Sequence, residues 1–190
     1  MKNTLRTLLF CAIAAVAGGG AARADIDLLS NDKLIEAVKA NDLGTAESML
    51  ARQNSAEPVD ANERTPLIIA AASGNEDMAA LLIRYRAHVN AADKFGNTAL
   101  FYAAAGDNVA IIRLLVAGHA TVDPQNRQGM TPLMIAASDG RLAALQALIA
   151  AKADPEVTDF TGRTARDWAE RNNRRAALRI LDRVVGVRAN

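Results

Sequence analysis

Cysteine is nearly missing from this sequence: one residue, Cys11, in 190. It stands in an apolar N-terminal stretch, so the rest of the chain has no thiol for a disulfide, a redox pair or a thiolate metal site. Aromatic residues are also scarce, with four Phe, two Tyr and one Trp, and there are five prolines. With Ala and Leu abundant in their place, the composition favours helices over a sheet protein. An excess of one charge is lacking too, since 22 Lys and Arg face 21 Asp and Glu. That balance leaves no global field of either sign. No apolar run reaches the roughly 20 residues of a spanning helix, which excludes a membrane-embedded protein.

The beginning of the chain is organised differently from the rest. Met1-Lys2-Asn3-Thr4-Leu5-Arg6 is short and basic, Thr7 to Ala17 is apolar, and Ala22-Arg23-Ala24 has the small-x-small pattern. This is the layout of a secretory leader cut between Ala24 and Asp25. Residues 1–24 are then the leader and residues 25–190 the mature chain. Phe10 precedes Cys11 where a bacterial lipoprotein signal has a small residue, so Cys11 is not read as a lipid anchor. The short basic region and the Ala-x-Ala site suit export to the periplasm of a Gram-negative cell. The expected product is a soluble monomer with no stable membrane insertion once the leader is removed. Without Lys2, Arg6 and Arg23 the chain carries 19 cations and 21 anions; eight of those arginines lie at or beyond Asp159, against four acids.

A fixed internal period decides the architecture. Thr65-Pro66-Leu67-Ile68-Ile69-Ala70-Ala71 returns as Thr98-Ala99-Leu100-Phe101-Tyr102-Ala103-Ala104, then as Thr131-Pro132-Leu133-Met134-Ile135-Ala136-Ala137, then as Thr164-Ala165-Arg166-Asp167-Trp168-Ala169-Glu170, always 33 residues on. Five residues before each Thr stands Asp60, Asp93, Asn126 or Asp159, and two before it Glu63, Gly96, Gly129 or Gly162, so each approach reads as a turn. One further step back reaches Asp32, followed by Leu34, Ala37, Asn41, Met49 and Leu50 in matching places. The units are 30–59, 60–92, 93–125, 126–158 and 159–190, the first and last acting as caps with charged outer faces.

Within a unit, Thr before Pro predicts a helix start: the hydroxyl accepts from a free N–H of the first turn, and Pro fills a position that needs no donor. Nine residues after the Thr come Gly74, Asp107 and Gly140, with Asn41 in the first unit. These residue types tolerate a left-handed helix end. A second helix follows with one apolar stripe: Met78, Leu81 and Leu82; Val109, Ile112, Leu115 and Val116; Leu142, Leu145, Leu148 and Ile149. So small a helix pair cannot bury its stripe alone, and neighbouring units must stack to share a core. The expected fold is an all-α solenoid of about five helix-turn-helix units with projecting turns.

These residues resemble the ankyrin-repeat family, whose unit runs Asp-x-x-Gly-x-Thr-Pro-Leu-His-x-Ala-Ala, a Gly, then Leu-Leu and a Gly-Ala-Asp turn. The likeness spans nearly all of the mature chain. The family His is replaced by Ile68, Phe101, Met134 and Asp167, with apolar contact in place of its hydrogen bonds, and the late-turn Gly by Arg86, His119 and Lys152. The resemblance implies a concave face, made by the turns and the exposed side of the first helices, that grips a protein. By position the turns offer Asn62 and Arg64; Lys94, Phe95 and Asn97; Arg127, Gln128 and Met130; Phe160, Thr161 and Arg163. Ends of the first helices add Ser73, Asp139 and Arg171. Phe95 and Phe160 at turn tips either anchor a partner or fold back on a neighbour. Trp168 reads as cap packing.

Catalysis needs tuned groups that converge, and little in the sequence does so. His88 and His119 are 31 residues apart, not one repeat step, and read as surface turn residues. There is no Gly-rich phosphate loop, no H-E-x-x-H and no G-x-S-x-G. Asp154 and Asp159 lack the Gly of a calcium loop between them. Asp60, Asp93, Asn126 and Asp159 recur too regularly for a site and read as turn braces. Arg171, Arg174, Arg175, Arg179 and Arg183 spread around a helix with Glu170 and Asp182 interleaved, a solvated cap or else an anion site. No cofactor, metal ion or nucleic acid is expected. The sequence predicts a non-catalytic periplasmic module that binds a folded protein; the alternative is an inhibitor or immunity factor that neutralises a toxin or regulates a periplasmic enzyme.

Overall fold

The computed structural model describes residues 33–52 and 57–188. The expected leader and its expected cleavage point at Ala24 and Asp25 lie outside these residues. The described residues form ten helices and no strand, the closest approach to a sheet being a single bridge between Ala92 and Thr98. They run as pairs: α1 (33–39) and α2 (Leu43–Leu50), α3 (Pro66–Ser73) and α4 (Glu76–Arg84), α5 (Ala99–Ala105) and α6 (Val109–Ala117), α7 (Pro132–Asp139) and α8 (Leu142–Ala150), α9 (Ala165–Arg171) and α10 (Arg175–Arg188).

Each first helix from α3 onward starts as the Thr predicts. The hydroxyls of Thr65, Thr98, Thr131 and Thr164 accept from the N–H groups of Ile68, Phe101, Met134 and Asp167 at 3.3, 3.4, 3.3 and 3.3 Å. Pro66 and Pro132 occupy the first helical position. The helices end in left-handed residues at Gly74 and Gly140, and the same conformation is taken by Asn41, Asp107 and Asn173. Arg86, His119 and Lys152, which stand for the family's late-turn Gly, are also left-handed, with φ of 64°, 64° and 69°. The turn therefore keeps its shape and carries the steric strain of a Cβ at each place.

First helices pack on first helices, α3 on α5, α5 on α7, α7 on α9, while α2, α4, α6, α8 and α10 follow one another in a second layer. The close approach of the first layer rests on Ala70, Ala71, Ala103, Ala104, Ala136 and Ala137, all fully buried. Leu67, Leu100 and Leu133 bury one large side chain per unit beside them, and Met78, Leu82, Ile112, Leu115, Leu145 and Leu148 come from the second layer. One continuous cluster results, so each unit contributes half of each interface and none has a core of its own.

At the family's His position, Ile68 and Met134 are buried apolar contacts as expected. Asp167 departs from that expectation. It accepts from the Thr164 N–H at 2.9 Å and from its hydroxyl at 2.8 Å, closing a capping box at the last first helix. A polar pair suits this place because, among the described residues, no further unit covers it.

Candidate protein-binding site

The four turns are built alike. In each, Oδ1 of the leading residue accepts two main-chain N–H groups: Asp60 from Asn62 and Arg64, Asp93 from Phe95 and Asn97, Asn126 from Gln128 and Met130, Asp159 from Thr161 and Arg163, all within 2.8–3.0 Å. Bracing is thus what these residues do. The turns are then tied into a row, since the N–H of Lys94 donates to Asn62 O (3.1 Å), that of Arg127 to Phe95 O (3.0 Å) and that of Phe160 to Gln128 O (3.3 Å). The tips form one rack rather than four loose loops.

The second polar atom of each brace has its own partner, and here the units differ. Asp60 Oδ2 accepts from Arg64 Nε at 2.9 Å and from its terminal nitrogen at 2.7 Å. Asp93 Oδ2 accepts from the Tyr102 hydroxyl at 2.7 Å, and Asp159 Oδ2 from Trp168 Nε1 at 3.0 Å. Tyr102 and Trp168 hold the same repeat position; its counterpart in the fourth unit is Ile135, which has nothing to donate. That unit carries Asn126, an uncharged amide whose Nδ2 donates to Asn97 Oδ1 at 2.9 Å. A carboxylate stands only where a donor reaches it, as burial of a charge requires.

Burial pushes the Asp60 carboxyl up, but the Arg64 side chain, the N–H groups of Arg64 and Asn62 and the Arg64 charge outweigh it and hold the group below its ordinary value. At Asp159 burial likewise raises, and hydrogen bonds from the Thr161 hydroxyl, the N–H groups of Arg163 and Thr161 and the Trp168 indole lower it further than burial raises it. Burial, then the bond to Asp93, pushes the Tyr102 hydroxyl up.

The expected contact residues divide accordingly. Phe95 is 54% exposed and Phe160 71%. Arg127, Gln128, Thr161, Ser73 and Arg171 are exposed, while Asn62, Lys94 and Asp139 are half-buried. Arg64 does not project freely, being clamped on Asp60, and Arg163 donates to the Thr161 hydroxyl. Asn97 is occupied by Asn126. Met130 is a correction: it does not project with its turn but is 8% exposed, because the bend after Gly129 aims it at the core. Phe95 and Phe160 are not equivalent either. Phe95 precedes Thr98 by three residues and Phe160 precedes Thr164 by four. Phe95 lines a depression, whereas Phe160 lies against Gly129 of the preceding turn. Trp168 packs into the cap, with the guanidinium groups of Arg171 and Arg163 at 5.6 and 5.8 Å from its ring.

That depression has about 380 Å³ and is lined by Phe95, Asn97, Phe101, Asn126, Arg127, Gln128, Met130 and Ile135. A larger one, about 550 Å³, lies in the second-helix layer between α6 and α8. Among the described residues, no group of three His, Cys, Asp or Glu side chains is placed to hold a metal ion, and no helix is long and apolar enough to cross a membrane. His88 and His119 are exposed. The reading of the C-terminal arginines needs revision: Arg175, Arg179 and Arg183 follow at i, i+4 and i+8 and share one exposed row, while Asp182 and Glu170 pair with Arg166 at 2.8 and 3.0 Å.

Two sets of residues escaped the sequence. Glu57, Asn90 and Asp123, one repeat apart, accept from the N–H groups of His88, Thr121 and Asp154 in the next unit at 2.7, 2.8 and 3.1 Å. Applying the 33-residue step to the loops as well as to the helices would have found them. Asp107 Oδ1 accepts from the Ala144 N–H at 2.7 Å, capping α8, whose own N-cap Arg141 makes no such bond. No local pattern signals a cap supplied 37 residues away.

A rack of braced turns on a double layer of short antiparallel helices defines a repeat protein that presents a surface rather than a cleft. The family described as ankyrin repeats (3 copies) matches residues 34–125 and 107–187. The chain belongs to the ankyrin-repeat family, and with it to the protein–protein interaction modules. Among curated proteins, none matches this sequence.

Proposed function

We propose that this chain is a non-catalytic binding protein of the periplasm that holds a folded protein partner, as a monomer, against the face made by its turns and first helices. What supports this is one contrast. The turn skeleton repeats with the same bonds in all four described turns, while the side chains it carries outward change from unit to unit: Lys94 and Phe95, then Arg127 and Gln128, then Phe160 and Thr161. A rigid rack with variable tips binds at little entropic expense, because the contact residues are ordered beforehand. The leader-like residues 1–24 support the compartment.

Exposed aromatics beside cations are favoured interface anchors. Crosslinking in intact cells followed by mass spectrometry names the partner, and N-terminal sequencing of the periplasmic fraction should read from Asp25. Phe95→Ala with Phe160→Ala should then weaken partner affinity by at least about 2 kcal/mol with unchanged circular dichroism. Unaltered affinity in that folded variant would remove the assigned face.

A further inference from the structure

The depression between the third and fourth units is the space that a side chain of the chain itself fills elsewhere. Where the third unit has Tyr102 lying on Asp93, and the fifth has Trp168 lying on Asp159, the fourth has Ile135 beside Asn126. Ile135 is too short to cover its turn, and the room left is bounded by Phe95 and Phe101 from the third unit and by Met130 and Ile135 from the fourth. Its interior is therefore apolar, while its polar members are largely spoken for: Asn97 and Asn126 bond each other, and Asn126 Oδ1 holds two N–H groups.

The rim is basic. Arg127 is exposed and forms no ion pair among the described residues, and Lys94 Nζ stands 5.2 Å from the centre of the Phe95 ring. Asp93, the carboxylate of the same turn as Lys94 and Phe95, accepts from two N–H groups and the Tyr102 hydroxyl. An incoming anion would meet these two cations first. A volume of about 380 Å³ sits at the low end of the roughly 300–1,000 Å³ of small-ligand pockets. It suits a large side chain and part of its neighbour.

Resting on the binding face proposed above, we infer that this depression receives one large apolar side chain of the partner, of Leu, Met or Phe size, carried next to an Asp or Glu whose carboxylate reaches Arg127 and Lys94. The ring or branch fills the place that Tyr102 and Trp168 fill in their own units. The carboxylate is held at the rim, where its contribution is sensitive to salt.

A random peptide library displayed on phage, selected against the whole protein, tests this. Enriched peptides should share an apolar residue within two positions of an acid. Their binding should weaken at least tenfold in Asn126→Asp with Ile135→Trp, a change that rebuilds the Asp–Trp pair of the fifth unit and plugs the space. A second variant, Lys94→Glu with Arg127→Glu, alters only the rim; it should weaken the same peptides and reverse the effect of salt, because salt then screens a repulsion. Enriched peptides without an acid, an enriched set indifferent to both variants, or no enrichment would overturn the inference. If peptides ignore the plug but are lost with Phe160→Ala, the depression is not the receptor and the binding face stands. If they are indifferent to plug, rim and Phe160 alike, the face falls with it.

Discussion

The turns offer a graded experiment, because three glycines with nearly the same left-handed φ meet very different surroundings. Gly96, Gly129 and Gly162 have φ of 81°, 79° and 80°. A Cβ on Gly162 would meet nothing within 4 Å; on Gly96 it would stand 2.9 Å from the Arg127 nitrogen; on Gly129 it would stand 2.5 Å from the Phe160 nitrogen and 2.7 Å from its Cδ1. Gly162→Ala therefore adds only the strain of a left-handed Ala, about 1–2 kcal/mol, partly offset by a stiffer unfolded chain, about 0.4–1 kcal/mol. Gly129→Ala adds to this the loss of the Phe160 N–H bond to Gln128, about 1 kcal/mol net, and displacement of a neighbouring backbone, on the order of 1–3 kcal/mol. Gly96→Ala falls between. Urea unfolding should give losses of about 1, 2 and 3–4 kcal/mol for positions 162, 96 and 129, with faster amide exchange at Phe160 in the last. Equal losses, or a largest loss at Gly162, would refute the claim that the turns are tied into a rack. Glu63, left-handed at φ 60°, supplies the converse: Glu63→Gly should stabilise by up to about 1 kcal/mol.

Acid should weaken the fold through two of its braces. Asp60 and Asp159 have lowered values in the folded chain, so their contribution is complete above the unfolded carboxylate value of about 3.9 and is lost as pH falls through the lower folded value. Asp159→Asn should accordingly lose stability at pH 7 and narrow its gap to the wild type below about pH 4; a gap independent of pH in thermal melts would contradict this. At Asp107, which is left-handed and caps α8, replacement by Ala should cost about 2 kcal/mol, and replacement by Asn, which keeps both roles, less than about 0.5 kcal/mol. Equal losses for Ala and Asn in chemical denaturation would contradict both the cap and the left-handed preference at this place.

Much of this architecture was legible because it is local and repeated. Thr before Pro, a left-handed residue nine places on, and one apolar stripe per second helix are decided within a few residues, and the 33-residue step multiplies each signal. The candidate face was legible only by position. That Phe95 borders a depression while Phe160 leans on Gly129 depends on a one-residue difference in register within the turn. That Met130 turns inward depends on the bend after Gly129. Both are matters of direction, which residue type does not carry.

What the sequence by itself determined is the unit and its direction of stacking, since a helix pair with one apolar stripe and paired alanines has no stable state other than lying against its copies. What only the tertiary structure decided is how successive units complete one another. Glu57, Asn90 and Asp123 serve the next unit's backbone, Asp107 caps α8, and Tyr102 and Trp168 donate to the second oxygens of buried braces while Ile135 leaves a space. Each of these joins groups that no period within a single helix brings together, and each has meaning only once a neighbouring unit or a folded turn supplies the other half of the bond.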